Sequence, residues 1–316
     1  MSDETFPFTH LDSPTGASIA LHTREASAPV RGIVHINHGL AERAGRYAKF
    51  ADFLASRGYH VAAHDHRGHG RTTAKDGGER RFADVDGWNK LVTDVSVVEA
   101  ELRQRWPGLP LVVFGHSMGS VVAFNHVLRA HDQLAGAAIW NGNMALGGLK
   151  SVMRFVLWWE ALLGGGDHTQ SNILDQLTFK AWNKRFPEGR TDADWLTSDT
   201  AEVDAYVADE LCGWPSSVSL WRDFLNGVEA AENTRNLKPV RKDLPFHLIG
   251  GSLDPATDNG QAVRKLADRL SKAGFTDVSC EIIEGFRHET INEIGREKPL
   301  NDFADWLDRV TANTPA

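Results

Sequence analysis

Three short segments carry residues whose types and spacing suit acyl-transfer chemistry. Gly115-His116-Ser117-Met118-Gly119 follows the apolar run 111–114 and precedes a helical pattern holding Val121, Val122 and Leu128. A chain that passes from strand to helix within about one residue forces Ser117 into a strained backbone angle. Glycines two positions to either side remove side chains that would collide there. The hydroxyl then stands clear of the sheet edge, beside a helix N-terminus whose free N–H groups and positive dipole end favour a developing oxyanion. The Met118 N–H is the expected donor. The five-residue pattern alone is weak in a chain with 29 glycines; its strand-to-helix setting gives it weight.

A serine hydroxyl needs a base to be a useful nucleophile, and in an open parallel sheet active groups gather at the carboxyl ends of strands. Two later runs end in suitable groups. The run 246–249 leads into Gly250-Gly251-Ser252-Leu253-Asp254-Pro255, and 278–283 leads into Glu284-Gly285-Phe286-Arg287-His288-Glu289. His288 is the expected base, taking the Ser117 proton and returning it to the leaving group. Asp254 is expected to fix its tautomer, with Asp258, further past the strand, as the rival. The order Ser117, Asp254, His288 suits this kind of strand–turn–helix nucleophile. After the run 33–36, His38-Gly39-Leu40 offers the Leu40 N–H as a second oxyanion donor. His116, beside the nucleophile, is expected to touch substrate.

The elements that must hold these segments follow from hydrophobic period. Two extended runs flank the turn Ser13-Pro14-Thr15-Gly16 and predict an N-terminal hairpin. Short apolar strands then alternate with helical patterns: Tyr47, Phe50, Phe53 and Leu54; Trp88, Leu91, Val92, Val95 and Val98; later Val263, Leu266, Ala267 and Leu270; finally Phe303, Trp306, Leu307 and Val310. This alternation implies βαβ units, a mostly parallel sheet and helices on both faces. The segment 142–238 breaks it. That segment is rich in Trp, reads as helical with loops at Gly164-Gly165-Gly166 and Phe186-Pro187-Glu188-Gly189, and is expected to be an inserted cap between core segments 1–141 and 239–316. Within it, Val152, Met153, Phe155, Val156, Trp158, Trp159, Leu162 and Leu163 are densely apolar. They read as a helix covering an apolar pocket, with a lid lying transiently against lipid as the alternative; Phe155 and Trp159 are the residues expected to reach substrate.

Together these segments resemble the α/β-hydrolase superfamily, and within it bacterial lysophospholipases and monoacylglycerol lipases. The run His38-Gly39-Leu40-Ala41-Glu42-Arg43-Ala44-Gly45-Arg46-Tyr47 is similar to their oxyanion loop and Asp65-His66-Arg67-Gly68-His69-Gly70 to their next loop. Gly115-His116-Ser117-Met118-Gly119 looks like their nucleophile motif, and Arg287-His288-Glu289 with Asn292-Glu293 like their histidine segment. Asp194-Trp195-Leu196 and Asp209-Glu210-Leu211-Cys212-Gly213 resemble cap stretches of the bacterial branch. Ala41 stands where a glycine is common, Arg43 where a histidine is, Ser120 in place of a frequent third glycine, and Arg71 where a serine often follows. The resemblance implies hydrolysis of small or lipid-like carboxylic esters with no cofactor. A proline-releasing aminopeptidase or amidase of the same fold is the alternative enzyme, with Glu160, Glu202 and Glu210 as acids for a substrate amine. A non-catalytic ligand receptor is the alternative outside enzymes.

Composition bounds the rest. The 316 residues fit one α/β domain with an insertion. A net charge of -8 lacks the basic footprint of a nucleic-acid binder. No stretch reaches the ~20 apolar residues of a spanning helix, and the acidic N-terminal residues are no secretory signal, so a cytoplasmic location is the expectation. Cys212 and Cys280 read as packed thiols. His64, Asp65, His66 and His69 match no metal spacing, and the loop is expected to brace the site through polar contacts.

Overall fold

The computed structural model describes residues 5–312 except 165 and 187–188; the two expected cap loops therefore fall partly outside the described residues. The N-terminal hairpin forms as β1 (Phe8–Asp12) and antiparallel β2 (Ala17–Arg24). Next come β3 (Gly32–Asn37), α1 (Ala48–Ser56), β4 (Tyr59–His64), the two-residue β5 (Thr73–Ala74), α2 (Gly87–Arg105), β6 (Leu111–His116), α3 (Met118–Ala130) and β7 (Gly136–Trp140). The inserted segment holds α4 (Leu149–Gly164), a short helical run with a π-helical stretch at Gln176–Lys180, α5 (Thr200–Val207) and α6 (Val218–Glu232). The core resumes with β8 (Phe246–Gly251), α7 (Gln261–Lys272), β9 (Val278–Ile283) and α8 (Glu297–Ala312).

The sheet runs β1-β2-β4-β3-β6-β7-β8-β9, with β5 pairing β2, and every pairing from β4 to β9 is parallel. Strands β3, β6, β7 and β8 are buried throughout, as a parallel sheet covered on both faces requires. On one face, Leu91, Val95 and Val98 of α2 pack with Val121 and Val122 of α3 and Val263 and Leu266 of α7. On the other, Phe50 and Leu54 of α1 pack with Phe303, Trp306 and Leu307 of α8. The chain leaves β3 for β4 on one side and later places β6 on the other. This reversal of strand order opens a crevice at the carboxyl ends of β3 and β6, where the Leu40 and Ser117 loops begin.

The last helix of the segment 142–238, α6, packs against α2 and α3, and its Leu220, Val228 and Ala231 join the main core. Gly227 permits this approach, since a Cβ there would come within 2.1 Å of the Trp88 ring.

Asp223 of α6 accepts the Trp88 N–H at the start of α2, and burial pushes its carboxyl up to about 6. An ordinary aspartate titrates near ~4, so between these values the folded state holds a proton that the unfolded chain releases. Stability attributable to this group therefore falls as pH rises through that window. Asp223→Asn, which keeps the accepting oxygen, is expected to be more stable than wild type at pH 7.5 by about 1 kcal/mol or less, partial exposure screening the rest. The difference in urea midpoint should narrow as pH falls below about 6 and close only below pH ~4, the unfolded value; a constant difference would contradict the assignment.

Candidate active site

Ser117 sits between β6 and α3 with φ 55° and ψ −120°, a conformation that a non-glycine residue adopts only under constraint. The flanking glycines allow the turn: a Cβ on Gly115 would meet the Gly119 carbonyl oxygen at 2.2 Å, and one on Gly119 would meet that of Asn37 at 2.1 Å. The Ser117 N–H donates to the Trp140 carbonyl at 3.0 Å. Ser120, the departure from a third glycine, donates its hydroxyl to the Ser117 carbonyl at 2.5 Å.

The three groups read from separate strand ends meet here. His288 Nε2 lies 2.8 Å from Ser117 Oγ, and His288 Nδ1 lies 2.9 Å from Asp254 Oδ1. Asp254 is fully buried and its carboxylate is saturated with donors. Oδ1 also accepts the Ala256 N–H at 2.9 Å; Oδ2 accepts Asn141 Nδ2 at 3.1 Å and Thr257 Oγ1 at 2.8 Å. Burial alone would raise its pKa, but the charge and hydrogen bond of His288 and the Asn141 and Thr257 bonds hold it below the usual carboxylate value. Asp258 is exposed, in left-handed backbone at φ 55°. Asn141 and Thr257 were not legible as site residues; the only hint for Asn141 was its place at the end of a buried strand. Asn141 also accepts the Thr290 hydroxyl at 2.8 Å, tying β7 to the histidine loop.

The His38-Gly39 pair orients the second candidate donor. His38 Nε2 accepts the His66 N–H at 2.9 Å, so the proton sits on Nδ1, which donates to the Gly39 carbonyl at 2.8 Å. Burial lowers the His38 pKa and favours this neutral ring. In a trans peptide the carbonyl and the next N–H point in opposite directions. Holding the Gly39 carbonyl on His38 therefore turns the Leu40 N–H away from it. The Met118 N–H, first in α3, has no intrahelical acceptor. Leu40, Met118 and Ser117 line one cavity of about 300 Å3.

That cavity is closed by Val121 and Leu146, by Leu149 and Met153 of α4, by Leu177, Thr178 and Phe179 of the π-helical stretch, and by Trp182, Trp221 and Phe224. Asn141, Asn143, Pro255, Ala256 and Asp258 complete the lining. Two larger grooves, about 680 and 610 Å3, lie elsewhere and contain none of these groups, and a third of about 470 Å3 shares only Phe179 with the cavity. Phe155 and Trp159 do not line the cavity; they are 63% and 46% exposed, because α4 turns Met153 and Leu157 inward against Leu174, Trp221 and Leu225. His116 lines instead an adjoining slot of about 20 Å3 that shares Leu40, Ser117 and Phe179 with the cavity. Its ring is buried beneath the loops, with Nδ1 3.4 Å from Glu42 Oε1 and Nε2 3.1 Å from the His288 carbonyl oxygen.

A buried ionic network ties the loops together. Glu42 Oε1 accepts the Gly39 N–H at 2.5 Å and the Tyr47 hydroxyl at 3.0 Å, and Oε2 accepts Arg46 Nη1 at 2.7 Å. Arg46 also pairs with both oxygens of Glu289, at 2.6 and 2.8 Å. Burial works against the Glu42 charge, but the His116 hydrogen bond and Arg46 outweigh it and keep the carboxyl ionised. The two cap stretches singled out by sequence act as clamps. The Leu196 carbonyl accepts the Glu289 N–H at 2.6 Å, and the Trp195 ring packs on His288 with centroids 4.8 Å apart. Asp209 pairs with Arg43 at 2.7 Å, while the Tyr206 hydroxyl and the Gly213 N–H both donate to the Ala41 carbonyl. Ala41 itself holds φ 55°, a backbone region that favours glycine.

The loop after β4 braces this arrangement. Asp65 accepts the Ala44 N–H at 2.8 Å and the Arg71 N–H at 2.7 Å. His64 Nδ1 faces His35 Nε2 at 2.9 Å, and burial keeps His64 and His66 well below the usual histidine value, hence neutral. Among the described residues no cluster of three or more candidate ligands is placed to hold a metal.

Comparison with known proteins agrees with the fold. A family model described as "Serine aminopeptidase, S33" matches residues 28–295. Human monoglyceride lipase is 27% identical over 306 residues, covering 96% of this chain and 91% of its own. Phospholipase YtpA of Bacillus subtilis is 37% identical over 297 residues, covering 90% and 98%. The thermostable carboxyl esterase of Bacillus coagulans superposes with a TM-score of 0.86 at 25% identity, covering 97% and 99%. A soluble variant of monoglyceride lipase from Saccharomyces cerevisiae, solved with a substrate analog, gives 0.75 at 19%, covering 98% and 96%. The chain belongs to the serine aminopeptidase S33 family of α/β-hydrolases, on its ester-hydrolase, monoacylglycerol lipase-like side.

Proposed function

We propose that the protein hydrolyses carboxylic esters in two steps through an acyl-enzyme on Ser117, and that its substrates are monoacylglycerols, lysophospholipids or similar small esters. His288 removes the Ser117 proton as Oγ attacks the carbonyl carbon. The Leu40 and Met118 N–H groups hold the oxyanion, and His288 protonates the departing alcohol oxygen. Water, deprotonated by His288, then attacks the acyl carbon and releases the acid and Ser117. The observation that carries this reading is the unbroken Ser117–His288–Asp254 relay at the wall of an apolar cavity. A cavity of about 300 Å3 is at the small end of ligand pockets and suits the acyl chain rather than a whole lipid.

The exposed face of α4 supports lipid contact during substrate uptake. Leu149 and Leu177 lie at the cavity and are 53% and 59% exposed, continuous with Val152, Phe155, Trp159, Leu162 and Leu163 along the helix. Among the described residues no helix is long and apolar enough to cross a membrane, so this contact would be superficial.

The family description raises an aminopeptidase reading, which needs an acid near Ser117 for the substrate amine. Glu160 instead binds the Ser171 hydroxyl and the Ile173 N–H, Glu202 pairs with Lys49, and Glu210 is exposed; none lines the cavity. Among the described residues, the acid that lines it is Asp258. The test compares hydrolysis of monoacylglycerols and p-nitrophenyl esters of graded length with aminoacyl p-nitroanilides. Ester turnover with negligible anilide turnover is expected, together with fluorophosphonate labelling of Ser117. Preference for the anilides would reverse the assignment, and absence of labelling would favour a receptor.

A further inference from the structure

His116 adjoins the nucleophile in sequence yet takes no part in the two-step reaction above. Its ring is buried, and each ring nitrogen faces an oxygen. Nδ1 is 3.4 Å from Glu42 Oε1 and Nε2 is 3.1 Å from the His288 carbonyl oxygen. A carbonyl oxygen only accepts. Glu42 also acts only as an acceptor, because Gly39, Tyr47 and Arg46 already direct donors at it. A neutral imidazole carries one N–H and would meet one of these oxygens with a lone pair; only the imidazolium donates to both.

We propose that His116 is a positioning residue that works as an imidazolium, bridging Glu42 and the His288 carbonyl so that the oxyanion loop and the base keep their register. The inference rests on Ser117 and His288 being the nucleophile and base. One end of the bridge fixes Glu42, which holds the Gly39 N–H next to Leu40. The other end fixes the backbone that carries the catalytic imidazole. Losing one proton from His116 turns one end from attraction to repulsion between lone pairs, with no change at Ser117 itself.

The charged surroundings favour the cation. Glu42 faces His116 from the oxyanion loop, with Arg46 and Tyr47 behind it. Glu289 and the His288 ring, centroids 4.9 Å away, face it from the histidine loop. Tyr206 of the inserted segment lines the same small slot and stacks on Arg46. Burial lowers the His116 pKa, but the hydrogen bond and charge of Glu42, followed by Glu289 and the His288 carbonyl, outweigh it and leave the group above the usual histidine value. Within the cluster, Glu42 and Glu289 balance Arg46 and His116, so the cation is not an isolated buried charge.

The test is a two-bond proton–nitrogen correlation spectrum of the full-length protein with nitrogen-15 histidine, the His116 signal identified by its loss in His116→Gln. At pH 7 both ring nitrogens of His116 are expected to carry protons. The kcat for p-nitrophenyl butyrate should fall on the alkaline side with the midpoint of that titration. His116→Gln should lower kcat by about 100-fold with KM changed by less than about threefold, as a small misplacement of a catalytic group does, and should lose that alkaline limb. A neutral His116 at pH 7, or an unchanged alkaline limb in the variant, overturns the proposal. If the variant does not fold, assignment by sequential labelling still reads the wild-type protonation state and decides the matter. Failure of fluorophosphonate to label wild-type Ser117 would instead indict the hydrolytic reading, which the spectrum does not measure.

Discussion

Ser117→Ala is expected to lower kcat for p-nitrophenyl esters by roughly 10,000- to 1,000,000-fold while leaving the urea midpoint within about 0.5 kcal/mol of wild type. The residual rate comes from substrate binding and the two N–H donors, which do not depend on the hydroxyl. The variant also removes a strained residue's hydroxyl without altering the turn, since Gly115 and Gly119 make room for the backbone. Asp254→Asn makes the complementary case. The amide can face His288 Nδ1 with its N–H, forcing the tautomer that cannot accept the Ser117 proton, and a loss of about 10,000-fold in kcat is expected. Stability should fall as well, because Asp254 accepts from Ala256, Asn141 and Thr257 besides His288. A Ser117→Ala rate within tenfold of wild type on purified protein would remove Ser117 from the mechanism.

The second large effect is on stability and lies away from the cavity. Arg67 is 1% exposed and spends all of its donors. Nε donates to Asp94 at 2.8 Å, Nη1 to the Phe82 carbonyl at 2.9 Å and to Asp76 at 3.3 Å, and Nη2 to the Thr15 carbonyl at 2.9 Å and the Thr15 hydroxyl at 3.2 Å. Asp94 in turn accepts the Ser13 and Thr15 hydroxyls at 2.6 and 2.5 Å. One guanidinium thus joins the N-terminal hairpin, the loop after β4 and helix α2. Arg67→Met leaves Asp94 buried without its counter-ion, and a loss of about 3–5 kcal/mol is expected. The double variant with Asp94→Leu should recover part of that loss, because it removes the orphaned charge. Denaturant midpoints of the two variants check both statements; a single-variant loss below 1 kcal/mol would show that Asp94 finds other compensation. At a temperature where Arg67→Met remains folded, its kcat should stay within about tenfold of wild type, since Arg67 touches no group at Ser117.

The part of the site legible in the sequence is the part written locally. The elbow needs a strand, a helix and small residues within a few positions, and 111–130 contains all three. Asp254 and His288 are readable because each follows a strand, the buried β8 and the half-exposed edge strand β9, and parallel strands deliver their carboxyl ends to one rim. Helix α4 was legible as a helix but not in its orientation. Apolar residues run around it, from Val152 and Met153 to Leu162 and Leu163, so the period has no phase. Only packing against Leu174, Trp221 and Leu225 decided that Met153 faces the cavity and that Phe155 and Trp159 face outward. Helix α6 falls within the segment 142–238 by its place in the chain. It joins the core because Gly227 lets it approach Trp88.

The sequence by itself determined the α/β alternation, the strand-to-helix turn at Ser117 and the chain order of the groups expected to meet it, because strand and helix periods and glycine turns are local properties. Tertiary structure alone decided which side chains surround the cavity at Ser117 and how the loops carrying Leu40 and His288 are joined. His116 shows the division. Its position beside Ser117 suggested contact with substrate, yet its partners are Glu42, 74 residues before it, and the carbonyl of His288, 172 residues after it. No local pattern encodes such pairs; they exist only once β3, β6 and the histidine loop meet at the crevice where the strand order reverses.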